Sequence, residues 1–542
     1  MPEHEQTPRT GRTDRIPVDE AERRDGLILE KDIPLSRSLL WRRQREYYER
    51  RGMRAWSEDD VPSYITSNPF FAEAYARMVL AYLRDCLSAR PGGQPAVSDK
   101  APLCILELGA GSGKFAYLFL RRLGEMLREG GLAPAMVRYC MTDRSEKLIG
   151  EWRENSRLRE LAERGMLEFA AFSAGDEENV RVRVRGPLVV IANYVFDSLP
   201  QDVFVTRNGQ LFEALVTTTE TGGSAGGAGS QPRVAFQNVA TPRERYEDPR
   251  WNAILEAYRT RLPDATVLFP TGALQTLEAL GKSAEGRMLA LVADKGVAHE
   301  DELRHCQGPA TFEWHAASQC FSLGVNFDAL AKHFAASGGQ ALLPEKRSTN
   351  LKTCAFLLGY EGEGHPATVA AYREVQSGFG ADDLFALFAW LNAHMEEMAA
   401  PQVLAALRLS CWDPMVLLRL FPVLARQLRG ATRERQDLRE AIQRTWENHY
   451  PIQAEEKALA FKCGVVLLEL GFFAEAQRMF KRSQQELGPS ASTSYNLALC
   501  AQGLGRASEA LAHAAEACRL EPGSEAAQSL RKKLEAAGAE KG

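Results

Sequence analysis

The stretch Leu103 to Phe115, LCILELGAGSGKF, constrains the fold more than any other. A continuous apolar run of this length suits a strand covered on both faces, the habit of parallel sheets. The run meets an acid, Glu107, and then glycines at alternate positions, Gly109, Gly111 and Gly113. Glycines after a buried strand let the backbone turn sharply and approach a ligand. Helical periodicity from Gly113 to about Arg128 completes a strand, loop and helix. Strand-like runs follow at Met136 to Thr142, Met166 to Phe172 and Pro187 to Ala192, with a helical pattern from Ser145 to about Arg164. This order predicts a doubly wound, Rossmann-like α/β sheet. After Thr217 to Pro232, a Gly/Ser-rich stretch that reads as a flexible loop, the pattern resumes. Met288 to Ala293 reads as a strand, Phe327 to Ala336 as a helix and TCAFLLG, ending at Gly359, as a last strand.

A chain of 542 residues is too long for one ordinary domain. Residues 1–35 mix acids and bases without an apolar core, which predicts a disordered tail and excludes a secretory signal. Residues 36–95 read as helical, with Ser67 or Asn68 as N-cap of the helix that Pro69 opens. The α/β unit then spans 96–360, and 361–455 is a helical connecting region. Residues 456–540 hold a repeat: Gly471 and Gly505 are 34 residues apart, as are Ala476 and Ala510. That period, with small residues at those offsets, is the tetratricopeptide signature and predicts an all-α C-terminal region. Its helices suggest a surface for a partner peptide or protein substrate.

A net charge of −5 gives no basic footprint for nucleic acid. No stretch approaches the length needed to span a bilayer, so no membrane association is expected. The 10 cysteines include no C-x-x-C pair, and several sit in apolar runs, as reduced buried thiols do. His299, His305 and His315 lack the tight recurring spacing of a metal site, and no metal is expected. These features together fit a cytoplasmic protein.

Three ligands compete for the glycine loop. A Walker loop needs a hydroxyl after its lysine, and Phe115 follows Lys114. A dinucleotide fingerprint is met at Gly109 and Gly111, but Lys114 stands in the third glycine position, which weakens it. The remaining pattern, E-x-G-x-G-x-G, resembles the first motif of class I S-adenosylmethionine-dependent methyltransferases. An acid at the end of the second strand, here Asp143, would accept the ribose hydroxyls. The fourth strand ends in IANYVFDSLP, and ligands in open α/β sheets bind beyond strand carboxyl ends. Asn193 and Asp197 are therefore candidates beside the reacting group, whereas Ser198 and Pro200 read as turn residues.

ELGAGSGKF, MTDRSEKL, NYVFDSLP, ADKG (Ala293 to Gly296) and VNFDALAKHF (Val325 to Phe334) occur in that order. The set resembles the MidA family of methyltransferases, whose mitochondrial members assist complex I assembly and methylate a protein arginine. The resemblance spans about residues 60–360 and includes YITSNPFFAEAYA, at Tyr64 to Ala76. It implies cofactor roles for Glu107, Gly109, Gly111, Gly113 and Asp143, and acceptor-side roles for Asn193 and Asp197; Ala110, between the glycines, is expected at the cofactor as well. Asp197 would take or orient a proton, Asn193 would hold the acceptor atom and Tyr194 would cover the site. Asp294 lies at a later strand end and is expected to face the same crevice. Two positions depart from the family. Tyr194 stands where its motif has glutamate, and Lys295 where D-Y-G has tyrosine. Asn193 and Phe196 also form an N-x-x-F, like the [N/D]-P-P-[F/Y] of amino-methylating enzymes, without its prolines. The function expected is S-adenosylmethionine-dependent methylation of a protein side chain, at arginine or another nitrogen, with the repeats recruiting a partner or the substrate. The alternative is a catalytically silent cofactor-binding scaffold.

Overall fold

The computed structural model describes residues 27–58, 63–88, 96–98, 100–172, 186–220, 232–315, 320–347, 350–359, 364–430 and 433–539. Its centre is a seven-stranded sheet. The strands, labelled here in chain order, are β1 (Leu103–Leu108), β2 (Val137–Asp143), β3 (Leu167–Ala171), β4 (Leu188–Asn193), β5 (Met288–Asp294), β6 (Gln340–Leu342) and β7 (Lys352–Leu358). Their spatial order is β6-β7-β5-β4-β1-β2-β3. The run from β5 to β3 is parallel throughout, and β7 pairs antiparallel with both β5 and β6. Side chains alternate along each strand, so Ile105 and Cys104 enter different cores on opposite faces. Chain order reverses between β1 and β4, and the crevice for a ligand opens where it does.

Four helices frame that crevice: α1 (Leu39–Arg51), α2 (Pro69–Leu87), α3 (Lys114–Glu129) and α4 (Glu146–Glu154). Asn68 caps α2, its Oδ1 accepting from Phe71 N at 2.9 Å. The helical pattern after Ser145 is two helices. Asn155 ends α4 and caps α5 (Ser156–Glu163), because its side chain accepts from Arg157 and Leu158 N–H.

Two expectations are corrected. The tail of 1–35 is ordered from Leu27, since Leu27–Ile33 pairs antiparallel with Gln210–Glu220. Charges obscured the strand, and Glu30 is used structurally, accepting from Leu39 N at 2.8 Å. The stretch from Thr217 is not all loop. The strand continues to Glu220 and pairs with Arg233–Ala240, and residues 221–231 lie outside the described residues. Both strands belong to a five-stranded antiparallel sheet with Asp202–Arg207 and Asp264–Phe269, which local pattern did not reveal. The earlier residues 1–26 also lie outside the described residues.

From Pro366 onward the described chain is helical. Leu459–Glu469 pairs with Phe473–Leu487, Ala491–Gly503 pairs with Ala507–Leu520, and Glu525–Ala539 follows. Small residues allow close approach: a Cβ on Gly464 would lie 2.7 Å from the Phe480 ring, and one on Gly503 would lie 2.6 Å from Phe473. No described helix is long and apolar enough to cross a membrane.

Candidate functional site

β1 ends at Leu108, and the chain turns through Gly109 (φ +59°) and Gly111 (φ +55°), a backbone region that side-chain-bearing residues seldom enter. Gly111 is doubly constrained, because a Cβ there would lie 3.0 Å from the Trp56 indole. The turn is tied to its surroundings by three bonds. Ala110 N donates to Thr142 O (2.9 Å), Thr142 Oγ1 donates to Glu107 O (2.6 Å), and Trp152 Nε1 donates to Gly111 O (2.8 Å).

The turn walls a cavity of about 270 Å³ at the switch point. Glu107, Gly109, Ala110, Gly111 and Asp143 line it from the ends of β1 and β2, and Asn193 and Tyr194 line it from the end of β4. Two of the residues expected here are elsewhere. Gly113 (φ +77°) N-caps α3 and packs on Met141, Leu158 and Tyr450. Asp197 is buried behind the wall, its N–H donating to Asp294 Oδ2 at 3.0 Å. Asp294, fully buried, also accepts from Lys295 N at 2.9 Å, so its carboxylate braces the turn rather than facing the crevice. Burial, then the charge of Asp197, holds the Asp294 carboxyl well above the usual range. Burial also raises Asp197, and the nearby Lys295 ammonium opposes the rise. Lys295 itself reaches away to Glu313 at 2.7 Å. Ser198 acts as the turn residue expected, its Oγ donating to Val195 O at 2.8 Å.

The other side chains find distinct environments. Asp143 Oδ1 accepts from Ser145 N at 3.0 Å, and burial raises its pKa against these backbone donors. Glu107 Oε2 is buried with no hydrogen-bond partner. Burial pushes the Glu107 carboxyl up to about 8, with the adjacent Tyr139 phenol opposing. Asn193 Oδ1 accepts from the Tyr75 hydroxyl at 2.8 Å, while Asn193 Nδ2 is buried without a partner. Tyr194 follows in the left-handed region (φ +53°), an uncommon conformation for a bulky residue. Its N–H donates to Ala293 O at 2.9 Å, which fixes the turn as β4 ends.

Sequence reasoning missed the third wall. α1 brings Gln44 and Tyr48 onto the cavity, and the short helix Arg54–Ser57 brings Trp56. The Gln44 amide oxygen is buried there without a partner. The Tyr48 phenol is held above its ordinary pKa by burial first, with the charges of Asp197 and Asp143 adding to it. Nothing in LLWRRQREYYERR marked these residues, because their neighbours come from strands about 60–150 positions later. Away from the cavity, Asp248, Glu278 and His333 converge, but Arg250 bridges the two carboxylates as an ion-paired cluster.

Residues 92–321 match the family model described as "Putative S-adenosyl-L-methionine-dependent methyltransferase". Among solved structures, the fold is similar to an uncharacterized protein from Burkholderia thailandensis, at 17% identity over 62% of this chain and 90% of that chain, TM-score 0.40. It is also similar to a crystal structure from Burkholderia thailandensis bound to S-adenosyl-homocysteine, at 16% identity over 62% of this chain and 90% of that chain, TM-score 0.41. No curated protein matches the chain. The α/β unit is that of a methyltransferase, and its cofactor is S-adenosylmethionine. The residues fit this group: Glu107 presents an orphaned buried acceptor, Asp143 an acid at the second strand end, and the glycine turn a close-lying backbone.

Proposed function

We propose that this chain methylates a protein side chain, with its C-terminal helices, read as tetratricopeptide repeats, recruiting the substrate or a partner. The subtype proposed is MidA-like. Bound S-adenosylmethionine supplies an electrophilic methyl group on a sulfonium. Glu107 and Asp143 hold the cofactor from the ends of β1 and β2, and Gly109, Ala110 and Gly111 give it room. Methyl transfer from a sulfonium breaks the S–CH3 bond and releases a neutral thioether, a good leaving group, so it needs mainly alignment of the nucleophile. The observation that carries the reading is the orphaned Asn193 amide at the end of β4, in the wall of the same cavity.

Tyr75 is fully buried, and Asn193 Oδ1 accepts its hydroxyl hydrogen. The amide therefore offers its N–H to the cavity rather than its oxygen. It can donate to a carbonyl oxygen of the substrate that lies beside the reacting nitrogen, unlike an N-x-x-F asparagine that would accept from an amine. Tyr194 and Tyr48 flank the acceptor, and Asp197, set behind the wall, positions the Asn193–Tyr194 turn through its contact with Asp294. Tyr194, standing where the resembled motif has glutamate, leaves one fewer carboxylate to clamp a guanidinium. A nitrogen other than arginine's is accordingly included in the substrate class.

The test is incubation of the full chain with radiolabelled S-adenosylmethionine and a cell lysate, with Gly111→Val as blank. Label in discrete protein bands supports the reading. Cofactor binding without label in any fraction would replace it with the catalytically silent scaffold.

A further inference from the structure

The glycine turn is held from outside the α/β unit. The Tyr450 hydroxyl donates to Ser112 O at 2.9 Å, between Gly111 and Gly113, and accepts from Asn155 Nδ2 at 3.0 Å. Tyr450 is 2% exposed, and its hydroxyl lies 3.1 Å from where a Gly113 Cβ would be. One residue past the turn, the Lys114 ammonium is buried in an ion pair with Glu456. The other Glu456 oxygen accepts from Gln453 N at 3.2 Å, so the segment Tyr450 to Glu456 is folded on its own carboxylate. Lys114 opens α3, where a cation opposes the helix dipole. Glu456 offsets that, which explains a lysine that neither lines the cavity nor serves a phosphate. The segment leads directly into the helix Leu459–Glu469, the first of the paired C-terminal helices.

We propose that Tyr450 and Glu456 are positioning residues for the cofactor, locking the Gly111–Lys114 turn from behind so that cofactor affinity depends on the docked helical region. The proposal rests on the cofactor site described above. Tyr450 bonds a backbone carbonyl of the turn itself, so its loss frees the turn without touching the cavity wall. Other bonds in the same interface do not reach the turn. Tyr117 donates to Glu447 O at 2.8 Å, and Arg121 donates to Asn448 Oδ1 at 2.6 Å. These set the control.

The experiment is calorimetric titration of the full chain with S-adenosylhomocysteine, beside its thermal unfolding. Tyr450→Phe keeps the ring against Tyr117 and removes only the hydroxyl. It is expected to weaken binding about tenfold, the worth of one well-placed hydrogen bond. The double variant Lys114→Met, Glu456→Met removes the pair without leaving a lone charge, and should weaken binding similarly. Arg121→Met should lower the unfolding temperature and leave affinity unchanged. Affinity within about twofold of the parent for both Tyr450→Phe and the double variant would overturn the proposal. An affinity loss in Arg121→Met as large as theirs would also overturn it, reducing the effect to general stability. If one of the two test variants fails to fold, the other decides. Absence of binding by the parent chain would instead remove the cofactor reading on which the proposal stands.

Discussion

Two strand ends meet at the cavity, and they are built differently. The end proposed for the cofactor, at β1, is local: Glu107 to Gly111 are contiguous, and Asp143 comes from the neighbouring parallel strand. The end proposed for the acceptor draws on Asn193 and Tyr194 at the end of β4, Gln44 and Tyr48 on an N-terminal helix, and Tyr75, which bonds Asn193. The first end is a backbone device, set by glycines and main-chain bonds. The second depends on side-chain orientation, with the Asn193 amide nitrogen and the Gln44 amide oxygen buried and unpaired. Contiguous backbone devices are the same wherever they occur, whereas assembled side-chain surfaces differ between proteins and carry specificity.

Substitutions should separate the two. The largest effect is expected from Gly111→Val, whose side chain meets Trp56 in a backbone region it cannot adopt. Titration with S-adenosylhomocysteine should show binding reduced by at least about a hundredfold, in line with a cost of a few kcal/mol for strain plus overlap. Retained affinity would mean the glycine turn is not the cofactor end. Next, Asn193→Ala should lower kcat about 10- to 100-fold and change S-adenosylhomocysteine affinity by less than about threefold, the mark of a residue that orients the reaction partner. Equal loss of both would erase the distinction between the ends.

Glu107→Gln tests the cofactor end through pH. The folded carboxyl titrates near 8, well above an ordinary glutamate, so the native state keeps a proton that the unfolded chain has already released. Stability from this group is therefore fully present below about pH 4 and is lost as pH rises through 8. The glutamine variant should unfold with a flatter dependence from pH 5 to 8 and gain roughly 1 to 3 kcal/mol at the upper end. Parallel pH curves for variant and parent would show that the carboxyl is not desolvated. The smallest effect belongs to Lys295, one of the departures from the resembled family. Its pair with Glu313 is close to half exposed on both sides, so Lys295→Tyr should alter stability by no more than about 0.5 kcal/mol. Thermal unfolding checks this, and a larger change would give the D-K-G turn a structural weight that its exposed contacts do not predict.

Legibility in the sequence followed the same division. The strands β1 to β5 were readable because apolar runs buried on both faces leave a strong local signal, and β1 was read at its observed bounds. Glu107, Gly109, Gly111 and Asp143 are singled out by the motif resemblance and do line one cavity, because three of them are contiguous or nearly so and the fourth ends the next strand, whereas Gly113 caps a helix instead. The place of the Lys114 side chain was not readable, since its partner Glu456 stands 342 residues away. The antiparallel sheet around Gln210–Glu220 escaped because its first strand lies far upstream, within a charged segment. Asp197 and Asn193 look equivalent in NYVFDSLP, yet a short helical turn over Phe196–Ser198 sends Asp197 behind the wall and leaves Asn193 on it.

By itself, then, the sequence determined the sheet, the turn that follows its first strand and the repeat at the C-terminus, all products of short-range pattern. Tertiary structure alone decided which polar groups are left unsatisfied, which carboxylates burial holds protonated, and that Tyr450, in a connection between C-terminal helices, bonds the glycine turn. Those properties depend on desolvation and on contacts between segments far apart in the chain, and periodicity carries no information about either.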